Sequence, residues 1–224
     1  MLAPLALIAA LASAVAAWRR RHRAQVQPAH AVIVSPRRST VIARDGGVRS
    51  AQSAKLTIDS ADLERLWIPA NLENLARTYW RFLTRVTLGL IRIHYEESSR
   101  SVVLLVRPLT LLRFDCPKYT LEADHGNVTW RIRGGLLVAR ANRSSGWLSL
   151  DVWRLPQTEA TPPGRREVKI EVEVANFYPS IAAGFSTPVY EMTQSAIHVL
   201  VTHAYLRSLA NLTLATSKVG SLAE

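Results

Sequence analysis

The residues best placed to do chemistry lie near the end of the chain. Glu191, Ser195, His198 and Thr202 are spaced i, i+4, i+7 and i+11, a spacing that puts them on one face of a helix. A histidine with a carboxylate nearly two turns away can titrate near neutrality and orient a polar group of a ligand. The same pair, used as acid and base, would suit a cyclase- or hydratase-like enzyme. The alternative is a solvated helix face, or a histidine satisfied by neighbouring hydroxyls. His198 and His203 are five residues apart, the wrong spacing for two metal ligands on one helical face, and no metal is expected. The tryptophans Trp130, Trp147 and Trp153 fall in strand-like stretches. They can form the aromatic wall of a cavity, with core packing as the alternative use of such rings. Cys116 is the only cysteine and lacks the surroundings of a nucleophile, so it reads as a structural thiol. The chain contains no nucleophile elbow, P-loop, zinc-protease helix or dinucleotide fingerprint, and no cofactor is expected.

The polar stripe needs a long helix. Pro188–Leu212 supplies it, with no glycine and with proline only at its first position, where a helix tolerates it. Ala196–Leu206 is apolar nearly all round, as expected of a helix covered on most sides. Before it the chain reads as consecutive strands. Glu167–Ala175 alternates strictly, with Val168, Ile170, Val172 and Val174 toward a core and Glu167, Lys169, Glu171 and Glu173 toward water. Trp147, Ser149, Asp151 and Trp153 alternate in the same way with Leu148, Leu150 and Val152. Tyr119–Ala123 and Asn127–Arg133 flank His125-Gly126, read as a hairpin turn. Gly134-Gly135 reads as a bend or bulge before a short strand at Leu136–Arg140. Upstream, Lys55–Asp59 predicts a strand, followed by a short helix capped by Ser60 or Asp62 and ended by Pro69. Asn71–Thr87 resumes helical spacing, with Leu72, Leu75, Tyr79, Phe82, Leu83 and Val86 on one stripe and Arg77, Arg81 and Arg85 opposite.

The order is strand, two helices, six or seven strands and a long closing helix, with no βαβ alternation and hence no parallel sheet. The expected fold is α+β: a curved antiparallel sheet packed on a long C-terminal helix. From Lys55 to about Leu212 this layout resembles the START-like helix-grip superfamily, the polyketide cyclase and lipid-transport group. The resemblance implies a cavity between sheet and helix that holds an apolar ligand. It is one of layout and transfers no individual residue.

The first part of the chain supplies an address. Leu2–Trp18 is uncharged and largely apolar, and Arg19, Arg20, Arg21 and Arg23 follow at once. Seventeen residues is the short limit for a bilayer span. Arginines on its C-terminal side place the N-terminus outside and the domain in the cytoplasm, and they suit anionic headgroups. Export after cleavage of a signal peptide is the alternative. Residues 19–49 carry eight arginines and one aspartate, so +7 of the chain's +11 lies there and only +4 beyond. The organisation read from this is residues 1–23 as anchor, 24–53 as flexible basic linker, 54–214 as the α+β domain and 215–224 as a tail. The linker's apolar triplets Val32–Val34 and Val41–Ala43 have an edge strand as their alternative. The function that follows is a membrane-tethered domain that binds a lipid or other apolar molecule without catalysis. Membrane lipids and an apolar ligand are its expected partners. The rival is a membrane-associated module with a solid core that recruits a protein partner. Enzymatic use of His198 and Glu191 ranks third and nucleic-acid binding last.

Overall fold

The computed structural model describes residues 30–34, 40–105, 109–139 and 144–178, together with Val201, Thr202, Tyr205, Leu206 and Leu209. Their elements run β1 (His30–Ile33), β2 (Thr40–Ile42), β3 (Val48–Asp59), α1 (Ser60–Leu66), α2 (Pro69–Val86), β4 (Ile91–Tyr95) and β5 (Ser99–Leu104). They continue with β6 (Thr110–Asp115), β7 (Lys118–Leu121), β8 (His125–Gly134), β9 (Trp147–Arg154) and β10 (Arg165–Phe177). Ten strands form one curved sheet in the order β1-β3-β10-β9-β8-β6-β5-β4, with β2 on β3 and β7 on β8. Each strand pairs antiparallel with its neighbours. The α+β class and the antiparallel sheet are as the sequence implies.

Local chemistry sets the helix boundaries. Asp59, rather than Ser60 or Asp62, caps α1, accepting a 2.9 Å bond from the amide of Ala61. Its carboxylate satisfies one of the amides that have no partner within the helix. Pro69 opens α2 instead of merely closing α1, because the missing N–H of proline is harmless in a first turn. The expected stripe Leu72, Leu75, Tyr79, Phe82 and Val86 is buried, with Leu83 partly so, and Glu73, Ala76 and Trp80 join it.

Three expectations are corrected. Of the expected linker, the stretch from His30 to Ser53 is not a linker where it is described. β1 and β2 both pair with β3, which begins at Val48 instead of Lys55. His30 lies opposite Thr57 and Ile33 opposite Ala54. The apolar triplets therefore serve as edge strands, satisfying backbone groups of β3 that would otherwise be left open. His125-Gly126 starts β8, and the hairpin turn sits one step earlier, where the Glu122 amide bonds the His125 carbonyl at 2.7 Å. Gly126 packs in the sheet with its α-carbon opposite Val152. Finally, the stretch at Leu136 forms a turn. The amides of Leu136 and Leu137 bond the carbonyls of Thr110 and Leu111 at 2.9 and 3.1 Å. Gly135, at φ +130°, makes that approach possible.

Among the described residues no helix is long and apolar enough to cross a membrane. Leu2–Trp18 and the arginines Arg19, Arg20, Arg21 and Arg23 lie outside the described residues, as do Glu191, Ser195 and His198. At the C-terminus Val201, Thr202, Tyr205 and Leu206 are helical. With Leu209 they recur at helical spacing, and all five are buried.

Candidate ligand cavity

The inner face of the sheet is set by register. Across β3, β10, β9 and β8 the α-carbons of Gln52, Val172, Leu150 and Val128 lie in one cross-strand row. All four side chains are at most 1% exposed. The next row toward one end is Ala54, Ile170, Val152 and Gly126, and toward the other it is Ser50, Val174, Leu148 and Trp130. The middle row is closed over by an aromatic group. Trp80 meets Trp130 edge-on at 5.3 Å, Tyr79 meets Tyr205 at 5.1 Å, and Tyr205 meets Phe82 at 5.9 Å. The phenol of Tyr205 donates to the carbonyl of Leu75 at 3.2 Å, joining the C-terminal residues to α2. The centre of the interior is therefore solid.

Space remains on either side of it. One cavity, about 100 Å³, lies beneath α1 and the start of α2, where Gly126 contributes no side chain. Trp67 lies at its edge, donating to the Glu122 carbonyl at 3.0 Å with the guanidinium of Arg154 4.4 Å from its ring centre. The larger, about 180 Å³, lies under the second half of α2, lined by β3, β10, β9, β8, β6, β5, β4 and Val201. Tyr79, Trp80 and Phe114 form its aromatic side. Ser50 and Tyr79 bring the only hydroxyls among its described lining residues. Burial pushes the Tyr79 phenol up to about 12, the nearby Thr202 hydroxyl pulling the other way. Burial also raises Tyr205 well above the ordinary range. Both phenols are neutral at pH 7.

The sequence-derived site residues divide sharply. Thr202 is fully buried beside Tyr79. Trp130 is buried in the central aromatic group and is not among the described residues lining either cavity. Trp147 and Trp153 are corrected outright. They alternate with Leu148, Leu150 and Val152, which face inward, so both tryptophans sit on the outer face. There Trp153 stacks on His125 at 5.2 Å with the rings 10° apart, and Lys169 lies 4.5 Å from its ring centre. In the described part of the C-terminal helix Tyr205 and Leu206 are fully buried and fill the middle.

Sequence reasoning missed two polar clusters. On the outer face, Asp151 Oδ1 lies 2.9 Å from His125 Nε2 and accepts from Asn127 at 2.7 Å, while Thr129 donates to Asn127 at 2.8 Å. Each of the four is one strand apart or two residues along, so the outward positions of the alternation carried the signal. The other cluster is at the rim of the inner face, where Tyr95, Arg100, Phe114 and Ile132 form a row. Arg100 is 4% exposed and donates to the Ser99 carbonyl at 2.8 Å and to that of Glu96. Arg77 reaches over from α2, its guanidinium 4.1 Å from the centre of the Tyr95 ring. The expectation that Arg77 faces solvent with Arg81 and Arg85 fails. Its Nε and Nη1 are buried, whereas Arg81 and Arg85 are exposed.

Four leucines are exposed at the same end as the larger cavity: Leu88 at 78%, Leu136 at 55%, Leu105 at 50% and Leu109 at 40%. Backbone bonds join their segments, Leu105 to Leu90 at 2.8 Å and Leu136 to Thr110 at 2.9 Å. Leu88 and Leu105 have φ of +54° and +61°, a conformation uncommon outside glycine.

No protein-family model matches the chain, and no curated protein matches it. Solved structures with some likeness include a conserved protein from Geobacillus kaustophilus, at 10% identity and TM-score 0.34 over 72% of this chain and 95% of that one. Truncated norcoclaurine synthase from Thalictrum flavum gives 13% identity and TM-score 0.34 over 78% of this chain and 98% of its own. Human STARD10 gives 10% identity and TM-score 0.31 over 88% of this chain and 78% of its own. Similarity of this size fixes no family and transfers no activity.

Proposed function

We propose that this is a START-like helix-grip domain that binds a lipid or other apolar molecule in its larger cavity, without chemistry of its own. The observation that carries the reading is the cavity itself. Protein interiors are close-packed, with few voids larger than a water molecule. An apolar pocket of about 180 Å³ that opens to solvent leaves its walls against water or short of contacts, which costs free energy. An apolar occupant offsets that cost by restoring the missing contacts. Apart from Ser50 and Tyr79 the described walls are apolar, which suits binding better than acid–base chemistry. In this reading Leu2–Trp18 holds the N-terminus in a membrane with the domain on the cytoplasmic side. The exposed leucines near the cavity's end would face the bilayer from which the ligand comes.

A second reading has its own support. The two cavities are separate and each is smaller than the ~300 Å³ at which ligand pockets usually begin. The middle row is fully packed. A solid module that recruits a protein to the membrane would look the same at its centre. Native mass spectrometry of the detergent-extracted full chain separates the two. A co-purifying lipid or other apolar adduct, released when Leu148→Trp blocks the larger cavity, is the expected result. A bare chain mass under conditions that preserve known lipid adducts would favour the solid module.

A further inference from the structure

Resting on that reading, we infer that the end of the sheet carrying the exposed leucines docks on an anionic lipid bilayer. Leu88, Leu105, Leu109 and Leu136 enter the interface, and Arg81, Arg85, Arg92 and Arg113 meet the headgroups. Backbone bonds gather the leucines at one place. The Leu105 amide bonds the carbonyl of Leu90, two residues past Leu88, at 2.8 Å. The Leu104 amide bonds the Leu109 carbonyl at 2.9 Å, and the Leu136 amide bonds that of Thr110, the next residue, at 2.9 Å. A single exposed leucine needs no explanation, but several on adjoining turns form an apolar patch of the kind that marks a contact surface. Leu88 and Leu105 also hold their places with φ of +54° and +61°. There a β-carbon costs free energy that glycine would not. In the free protein, water and backbone both work against these two side chains. Entry into a bilayer removes the first of the two costs.

Charge selects what covers the patch. The leucines lie in residues 74–95, 98–114 and 125–150, which hold four, three and four arginines and no aspartate or glutamate. Arg81, Arg85, Arg92 and Arg113 are exposed. Arg81 and Arg85 are one turn apart near the end of α2, and the Leu88 amide bonds the Arg85 carbonyl at 3.1 Å. Arg92 donates from Nε to the Gly89 carbonyl at 3.2 Å, which keeps its guanidinium beside the Leu88 turn. Arg113 is the cross-strand partner of Gly134, two residues before Leu136. At the other end of β8, Asp59, Asp62, Glu64, Glu122 and Asp124 gather around α1 and the turn from β7. An anionic surface attracts the first end and repels the second, so charge fixes which end lies down. A nucleic acid would take the arginines and leave the leucines in water. A bilayer interface takes both, as it does for helices with an apolar and a basic side. Leu83, Ile91, Leu111 and Leu137 of the same segments line the larger cavity, so docking brings that cavity to the lipid.

The test places one environment-sensitive fluorophore on the full chain. Cys116→Ser removes the single native thiol, and Leu88→Cys carries the label. The protein is reconstituted into vesicles of phosphatidylcholine alone or with about one third phosphatidylglycerol, each with and without brominated acyl chains. In the anionic vesicles the label should shift to the blue and be quenched by the brominated chains at least threefold more than in phosphatidylcholine. The same label at Ala123→Cys, exposed at the acidic end, should show neither effect. Arg81→Glu with Arg85→Glu should bring the anionic response down to the phosphatidylcholine level, and Arg81→Lys with Arg85→Lys should keep it. Leu148→Trp, which blocks the cavity and not this surface, should also keep it, so docking and ligand binding fail separately. Equal responses in the two vesicles, or a response indifferent to the charge reversal, would overturn the anionic surface. No quenching at Leu88, or equal quenching at Leu88 and Ala123, would overturn docking by this end. A blue shift without quenching would assign the leucines to a protein contact and overturn the bilayer as their partner.

Discussion

Trp130 and Trp153 stand in neighbouring strands of one sheet, and they show what its two faces are made of. Trp130 is 1% exposed and rests edge-on against Trp80. Trp153, half-buried on the other face, lies against the flat of His125 and the tip of Lys169. Around it the outer face is a set of charge pairs: Lys55 with Glu167 at 2.7 Å, Lys169 with Glu171 at 2.9 Å, and Arg133 with Asp115. Such partly exposed pairs contribute little each. The inner face is apolar except for Ser50, Gln52 and the arginine rim. The difference teaches that parity, and not residue size, decides where an aromatic ring goes. A strand alternation names two sets of residues, and only the packing of α2 says which set is inside.

The sharpest way to break this comparison is to remove both rings. Trp130→Ala should cost about 3–5 kcal/mol, the usual loss for a large buried side chain. Trp153→Ala should cost under about 1 kcal/mol, the scale of an exposed aromatic or cation–π contact. Urea unfolding of the two variants measures both. Equal losses would mean that a partner or another part of the chain covers the outer face.

A second test uses pH. The Tyr79 pKa is raised from the ordinary 10 to about 12, and burial raises Tyr205 well above 10 as well. In the unfolded chain both phenols lose their protons near pH 10, while in the folded protein they keep them. Between about pH 10 and 12 the unfolded state therefore binds fewer protons, and stability falls as pH rises. Stability is whole below pH 10. For Tyr79 the loss by pH 12 is about 2–3 kcal/mol at ~1.4 kcal/mol per unit. Tyr79→Phe should flatten that part of the decline in a pH series of chemical unfolding. An unchanged slope would show that Tyr79 is open to solvent.

These faces were legible in the sequence to unequal depth. The alternation of Val168, Ile170, Val172 and Val174, and the α2 stripe from Leu72 to Val86, are short-range patterns, and they predicted burial. β1 and β2 were legible only as an alternative to a linker, because three- and four-residue strands carry little periodicity and owe their form to pairing with β3. The tryptophan site was misplaced because alternation leaves the sign of the face open. Arg77 was misread for a related reason. It lies at the edge of the helical stripe, where a 3.6-residue period cannot separate the rim of a core from its solvent side. Arg100 gave no signal, since an inward arginine is explained by Tyr95 and two carbonyls far from any motif.

Two glycines carry the comparison of faces into the backbone. Gly135, outside the inner rows, has φ +130°, and a β-carbon there would strike the carbonyl oxygen of Leu111 and come 2.7 Å from its carbon. Gly135→Ala should cost about 2 kcal/mol or more, from strained backbone alone, and should loosen the turn at Leu136.

Gly126 is the opposite case. It lies on the inner face beside the smaller cavity, and its backbone is not in the left-handed region. A β-carbon would meet side-chain ends only, Leu121 at 3.2 Å and Leu72 at 3.4 Å. Both leucines border the cavity of about 100 Å³, so each has room to turn aside. The added methyl reduces unfolded-chain entropy and fills space that has no atoms in it. Gly126→Ala should therefore stabilise the domain by about 0.4–1 kcal/mol, read as a rise in Tm with the m-value unchanged. It should leave ligand binding in the larger cavity as it is, because the packed row from Gln52 to Val128 stands between the two. A loss of stability would show that Leu72 and Leu121 are held in place. A loss of ligand would mean that the two cavities are joined, and that the solid centre opens when the protein is occupied.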